Sequence, residues 1–132
     1  MDIIVSQKMG RVPITLFQVK GMLNLGSAHQ LEQKAQEQYT SGMRYLLIDL
    51  SAVESITSAG LRSIQIIYKM LSKDLSKAST GESIGDNDLP KQKSQHLRLL
   101  SPQPHIRRVL SISGFDEFFP VYEDKTEAID SF

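Results

Sequence analysis

The pattern of apolar and polar positions is clearest between residues 45 and 71. Residues 45–48 are four apolar residues without polar alternation, which is typical of a strand covered on both faces. We expect Asp49 to end this strand. A helix should follow, because small or apolar residues recur there at steps of three and four. These positions are Gly60, Leu61, Ile64, Ile67, Tyr68 and Leu71. Since Thr57 or Ser58 can cap the helix, the pattern predicts a hydroxyl group displayed at a helix N-terminus.

The residues before this unit predict a hairpin and a helix. Residues 3–5 and 13–20 are rich in strand-forming side chains, with turn residues between them. Ser27 followed by Gln30 is a capping-box pattern, and Gly42 is suited to end the helix that this pattern opens. We therefore expect a crossover helix between the hairpin and the strand that begins at residue 45.

The residues after residue 96 continue the alternation of strands and helices. Residues 97–100 predict a short strand, and a helix should begin at the prolines after Ser101 and end at Gly114. Residues 118–122 suggest a last strand, and Asp124 can cap one more short helix. The fold class is therefore α/β, an open sandwich with a mixed sheet of four to five strands and about four helices.

Residues 73–95 differ sharply in composition from their surroundings. They are rich in Ser, Lys, Asp and Gly and contain only three sizeable apolar residues. Such a segment cannot build a core of its own, and loops of this length are usually functional or disordered. We expect a single domain over residues 1–132 that carries a flexible polar insertion at residues 73–95.

Composition excludes several classes of function. Lysine plus arginine equal aspartate plus glutamate at 15 each, so no overall field attracts nucleic acid or an anionic membrane. The sequence has no cysteine, which excludes disulfides, thiolate zinc sites and cysteine nucleophiles. No apolar run approaches the roughly 20 residues of a membrane span. We expect a cytoplasmic protein without direct contact to nucleic acid and without insertion into a membrane.

Catalytic and metal sites lack support in the sequence. The three histidines are scattered over different elements without metal-ligand spacing, and there is no glycine-rich phosphate loop. Ser58 lacks the Gly-x-Ser-x-Gly context of a nucleophilic serine. We expect no enzyme, no metal and no cofactor. A hydrolase that acts through Ser58, His105 and Asp49 stays an alternative, which a serine-reactive probe would test.

The segment of residues 49–62, DLSAVESITSAGLR, resembles the loop of STAS domains, the fold of anti-sigma factor antagonists. In that family the loop reads Asp-Ser-Ser/Thr-Gly-Leu, and the serine after the Asp is the phosphoacceptor. The resemblance assigns this role to Ser58, with Thr57 as the fallback acceptor. An unmodified helix cap is the alternative reading of both hydroxyl groups.

The sequence departs from the family pattern at three positions. Thr57 stands where the family has Asp, and Ala59 where it has Ser or Thr. Asn24 replaces the Asp of a family Gly-x-Leu-Asp element. These departures concern how a kinase would recognise the loop, and they leave the Ser58 hydroxyl group in place.

Four residues are expected to support the loop or its phosphate, namely Asn24, Asp49, Gly60 and Arg62. Arg62 lies one helical turn after Ser58, and side chains lean toward the helix start, so it could reach a phosphate there. The alternative reading of Arg62 is a solvated surface arginine.

The helix that follows Ser58 offers a candidate partner interface opposite its apolar stripe. Its members are Ala59, Arg62, Ile66, Lys69 and Met70. Apolar residues beside charges on an exposed face are typical of binding surfaces, although isolated exposed apolar residues are also ordinary.

The resemblance implies regulation by partner switching. The unmodified protein would bind an anti-sigma factor that is also a serine kinase, and so free a sigma factor. Phosphorylation of Ser58 would release the partner, and a phosphatase would reset the switch. The alternative is a STAS subunit of a membrane transport complex, in which Ser58 is only a cap. The oligomeric state is left open, and a homodimer is among the expected states.

Overall fold

The computed structural model describes residues 1–78 and 96–132, and only the backbone of residues 72–78. Within these residues the chain forms five strands and four α-helices. In chain order they are β1 (Asp2–Met9), β2 (Pro13–Leu23), α1 (Leu25–Thr40), β3 (Leu46–Ile56), α2 (Ser58–Ala78), β4 (Leu97–Leu100), α3 (Pro104–Ile112), β5 (Val121–Tyr122) and α4 (Lys125–Asp130). The predicted α/β class and element order are confirmed.

The strands form one mixed sheet in the order β1-β2-β3-β4-β5. β1 and β2 pair in antiparallel fashion, as the predicted hairpin requires, and the other neighbours are parallel. Helices α1, α2 and α3 provide the crossovers between the parallel strands and cover one face of the sheet, whereas α4 covers the other face.

The central strand β3 separates two cores. Leu46, Ile48 and Leu50 point into the larger core, which α1, α2 and α3 cover. Leu47 points into the smaller core, where α4 contributes Ala128. This confirms the prediction that an apolar run without alternation is a strand covered on both faces.

β3 is longer than predicted, because Asp49 does not end it. The strand continues to Ile56, and Asp49 lies inside it with its carboxylate accepting the Ser51 backbone N–H group at 2.9 Å. A buried carboxylate is tolerated within a strand when such bonds satisfy it. Pairing with β3 likewise extends β2 to Leu23, three residues beyond the predicted end.

The end of α2 and the last strand also differ from the prediction. Residues 73–78 were assigned to the polar insertion, but their backbone is helical, in keeping with the helix propensity of Lys, Leu and Ala. Residues 79–95 lie outside the described residues. The predicted last strand is reduced to β5, because the N–H groups of Phe118 and Phe119 donate to the Phe115 carbonyl group in the turn that includes the 3-10 helix Phe115–Glu117. Gly114 adopts the expected left-handed conformation, with φ of 81°.

α4 is fastened to the sheet through Arg98 of β4. The guanidinium group donates to the Ser131 hydroxyl group at 2.6 Å and to the Ser131 carbonyl group at 2.9 Å. Burial lowers the pKa of Arg98, and its hydrogen bond with Tyr122 opposes this shift. No helix in the described ranges is both long and apolar enough to cross a bilayer.

Candidate functional site

Two helices begin side by side at one edge of the sheet. The ends of β2 and β3 are neighbours, with Leu23 opposite Ile56, and a helix follows each strand directly. Neither α1 nor α2 has an acidic residue in its first turn. Backbone N–H groups and the helix dipole favour negative charge at such an edge.

The start of α2 is a tight turn with two exposed hydroxyl groups. The Thr57 N–H group donates to the Leu23 carbonyl group at 3.0 Å, and the Leu61 N–H group donates to the Thr57 carbonyl group at 3.0 Å. The side chains of Thr57 and Ser58 are exposed, whereas Ala59 is half-buried. The structure therefore places both predicted acceptor residues at the surface, beside the beginning of a helix.

Gly60 sets how closely α2 approaches β2. A Cβ atom on Gly60 would lie 2.6 Å from the Leu23 carbonyl oxygen and 2.8 Å from Leu23 Cγ. Real Cβ atoms essentially never make contacts this short, so only glycine fits here unless the neighbouring backbone shifts. The support expected from Gly60 is thus steric, since its missing side chain lets the two helix starts approach each other.

The start of α1 corrects the prediction of a cap at Ser27. Asn24 is the N-cap, and its Oδ1 accepts the Ser27 N–H group at 3.2 Å. The Ser27 hydroxyl group accepts the Asn24 N–H group at 2.9 Å and donates to the Met22 carbonyl group at 2.6 Å. The usual capping-box pattern did not reveal this box, because Ser, rather than Glu or Gln, occupies the third helical position of α1. Asn24 therefore supports the edge by capping α1.

The two remaining support residues, Asp49 and Arg62, differ in their position relative to the Ser58 turn. Asp49 lies within β3, seven residues before Ile56, which corresponds to roughly 20 Å of strand. The structure therefore does not bring Asp49 to the Ser58 turn, and its carboxylate serves the strand instead. Arg62 is exposed one helical turn after Ser58, as its spacing predicts.

The outer face of α2 is less exposed than the prediction assumed. Ile66 is 40% exposed, but Met70 is half-buried and packs against the larger core. Both residues, with Lys69, line a groove of about 420 Å³ between α1 and α2. Glu32, Gln33 and Gln36 of α1 form its other wall. This part of the predicted interface is therefore a groove rather than a single helix face.

Sequence reasoning missed two apolar residues at the same edge. Met22 is 53% exposed and lies opposite Ser55 in the β2–β3 ladder. Leu25 is 80% exposed and is the first residue of α1. The sequence pattern ended β2 at residue 20 and began the helix at Ser27, so it assigned neither residue to an element.

Comparison with known proteins agrees with this geometry. The model of the STAS domain family matches residues 5–76. The chain is 31% identical over 114 residues to BtrV of Bordetella bronchiseptica, a relative that is named as an anti-sigma factor antagonist. The match covers 86% of this chain and 82% of the relative. The chain belongs to the STAS domain family. The resemblance read from residues 49–62 is thereby confirmed, and it extends to the anti-sigma factor antagonists.

Solved STAS structures share the fold. An anti-sigma factor antagonist from Mycobacterium paratuberculosis superposes with a TM-score of 0.69 at 24% identity, covering 96% of this chain and 89% of that one. The phosphorylated form of the Bacillus cell fate determinant SpoIIAA superposes with a TM-score of 0.58 at 17% identity, covering 96% and 97% of the two chains. The open sandwich described above is therefore the STAS fold.

The alternative sites do not assemble on this STAS domain. The His105 ring bonds to the Glu54 carbonyl group, and Asp49 lies far along β3 from Ser58, so these side chains form no triad. Among the described residues, no three His, Cys, Asp or Glu side chains cluster as metal ligands. The edge that carries Ser58 presents exposed hydroxyl groups and exposed apolar side chains.

Proposed function

We propose that this STAS protein binds an anti-sigma factor of the serine-kinase type and is released from it when Ser58 is phosphorylated. The observation that carries the proposal is the exposed Ser58 hydroxyl group at the first residue of α2, on a turn that Gly60 and Leu23 hold in place. Such a hydroxyl group is accessible to a kinase without unfolding of the domain. The names of the relatives support the choice of partner.

Phosphorylation would change the charge of the edge without disturbing its fold. A phosphate group adds about 1.5 to 2 negative charges, and helix starts without acidic residues accommodate negative charge. Arg62, one turn later on α2, is placed to pair with the phosphate. The modified domain therefore stays folded, and the interface loses affinity because the new charge must be desolvated and repels acidic groups of the partner.

The partner interface in this proposal combines the Ser58 turn with its apolar surroundings. Met22 near the end of β2 and Leu25 at the start of α1 supply exposed apolar area, and Ile66 adds exposed apolar area on α2. Exposed apolar residues of this kind form the centre of many protein interfaces, with polar residues around them. Contact here would place Ser58 within reach of the kinase, and a phosphatase would restore the unmodified state.

Phosphate mapping tests this proposal directly. The protein is incubated with ATP and the anti-sigma kinase of its host, and the phosphate is located by mass spectrometry. We expect label at Ser58, no label in Ser58→Ala, and label still at Ser58 in the matched control Thr57→Ala. Label that persists in Ser58→Ala at another residue would refute the assignment.

Partner capture tests the switch itself. We expect Ser58→Ala to retain the kinase in a pull-down from the host and Ser58→Asp to lose most of it, since a carboxylate imitates part of the phosphate charge. Equal capture by both variants would contradict release by phosphorylation.

A further inference from the structure

The strand that leads to the Ser58 turn departs twice from regular pairing. Between Asp49 and Ala52, β3 advances three residues while β2 advances two. Between Val53 and Ser55, β3 advances two residues while β2 advances one. An extra residue in one strand is a β-bulge, which interrupts the ladder, bends the strand and is common beside functional sites.

Among the residues that the structure describes, no strand pairs with the outer edge of this bulged part. β4 pairs with β3 only along Leu46–Asp49, so the residues after Asp49 extend beyond it. The beginning of α3 takes this place. Gln103 Nε2 donates to the Ser51 carbonyl group at 3.1 Å, and His105 Nε2 donates to the Glu54 carbonyl group. Each bulge of β3 is therefore bonded by one side chain, the first by Gln103, the N-cap residue of α3, and the second by His105 within α3.

We infer that Gln103 and His105 are positioning residues that fix the two bulges of β3 and thereby set the placement of the Ser58 turn. Their own helix is firmly held, because Ile106 and Leu110 are buried in the larger core. Glu54 is only four residues before Ser58, so backbone motion at the bulge of Glu54 would also move the Ser58 turn. The consequence for phosphorylation rests on the proposed function, whereas the fixing of the strand does not.

Amide hydrogen exchange measures the fixing of the strand. In Gln103→Ala and His105→Ala we expect the amides of residues 51–58 to exchange several-fold to about tenfold faster, in keeping with the loss of one hydrogen bond. The same amides should exchange faster in the double variant than in either single variant. Amides of α1 and β4 should keep their protection, and Tm should change little.

Two further variants separate positioning from general destabilisation. In His105→Gln the amide nitrogen can occupy about the position of the imidazole Nε2, so we expect exchange close to that of the unmodified sequence. Arg108→Ala, an exposed residue of the same helix, should have no effect. Unchanged exchange in the double variant, or equal acceleration throughout the sheet, would overturn the inference.

Phosphorylation kinetics measure the consequence for the Ser58 turn. With the host kinase and ATP, the double variant should lose about tenfold in kcat/KM for Ser58, and His105→Gln should recover most of it. If exchange accelerates in residues 51–58 but kcat/KM is unchanged, the strand is fixed without effect on the turn, and the inference fails. If Ser58 accepts no phosphate even in the unchanged protein, the proposed function fails, and exchange alone decides the inference.

Discussion

α1 and α2 begin at the same edge of the sheet, and each has a serine in its first turn, yet the two serines have opposite surroundings. Ser27 is buried, and its hydroxyl group bonds to Asn24 and to the Met22 carbonyl group. Ser58 is exposed at the first residue of its helix. The comparison shows that a serine in the first turn of a helix can be either structural or accessible. Burial and hydrogen bonding distinguish the two cases.

The glycines of the two helix starts also differ in how closely neighbouring atoms approach them. Gly60 approaches Leu23 so closely that a Cβ atom would lie 2.6 Å from its carbonyl oxygen. Gly26 has open surroundings, since a Cβ atom there would meet its nearest neighbour, Asn24 Oδ1, at 3.5 Å. The α2 start is thus fixed by packing, whereas the α1 start is fixed by its capping box.

The largest expected effect separates these two glycines. Gly60→Ala should lower the free energy of unfolding by about 3 kcal/mol, because the added methyl group forces α2 away from β2. Gly26→Ala is the matched control and should be neutral or stabilising by up to about 1 kcal/mol, since alanine favours helix. Urea unfolding of both variants measures the difference. A similar loss of unfolding free energy in both variants would contradict a steric role that is particular to Gly60.

A second substitution pair separates the two serines. Ser27→Ala should lower the free energy of unfolding by about 1 to 2 kcal/mol, because it leaves bonding groups of the capping box without their partner. Ser58→Ala should stay within about 0.5 kcal/mol of the unchanged protein, as is usual for exposed positions. Thermal unfolding measures both stabilities. Phosphorylation should be lost in Ser58→Ala and retained in Ser27→Ala. A large stability loss in Ser58→Ala would identify that hydroxyl group as structural.

The sequence predicted the α2 side of this comparison better than the α1 side. The strand, turn and helix around Ser58 are contiguous, and the buried stripe of α2 has regular spacing, so local pattern sufficed. The start of α1 at Asn24 depends on a reciprocal bond with Ser27, which is one of several capping arrangements that the residues allow.

Other features depended on contacts between distant segments. The length of β3 follows from its pairing with β2, and the role of Asp49 follows from a bond to Ser51. The bonds from α3 to the bulges join residues about fifty positions apart in the sequence. Periodicity carries no information on such pairs, so the fold and the positions of Gly60 and Arg62 were predictable, whereas the bonds made by Asp49, Gln103 and His105 were not.

Arg62 offers a smaller effect that depends on the state of Ser58. In the unmodified protein Arg62→Ala should change stability by less than about 0.5 kcal/mol, because the side chain is exposed. In the phosphorylated protein it should cost up to about 1 kcal/mol, the usual limit for an exposed ion pair. Tm of both forms measures this, with Arg108→Ala as control. An equal effect in both forms would show that Arg62 does not pair with the phosphate.

The smallest effect tests whether the two helix starts share one electrostatic field. Asn24→Asp keeps the acceptor of the capping box and adds a negative charge, so it should stabilise the unmodified protein by about 0.3 to 1 kcal/mol. In the phosphorylated protein the same charge lies near the phosphate group, and repulsion should reduce this gain or reverse its sign. Urea unfolding at low salt and at 1 M salt measures the difference, which should shrink at high salt because screening shortens the range of both charges. Asn24→Ser retains a capping oxygen without charge and should behave alike in both forms. If Asn24→Asp stabilises both forms equally, α1 and α2 respond to charge independently, and phosphorylation acts on the start of α2 alone.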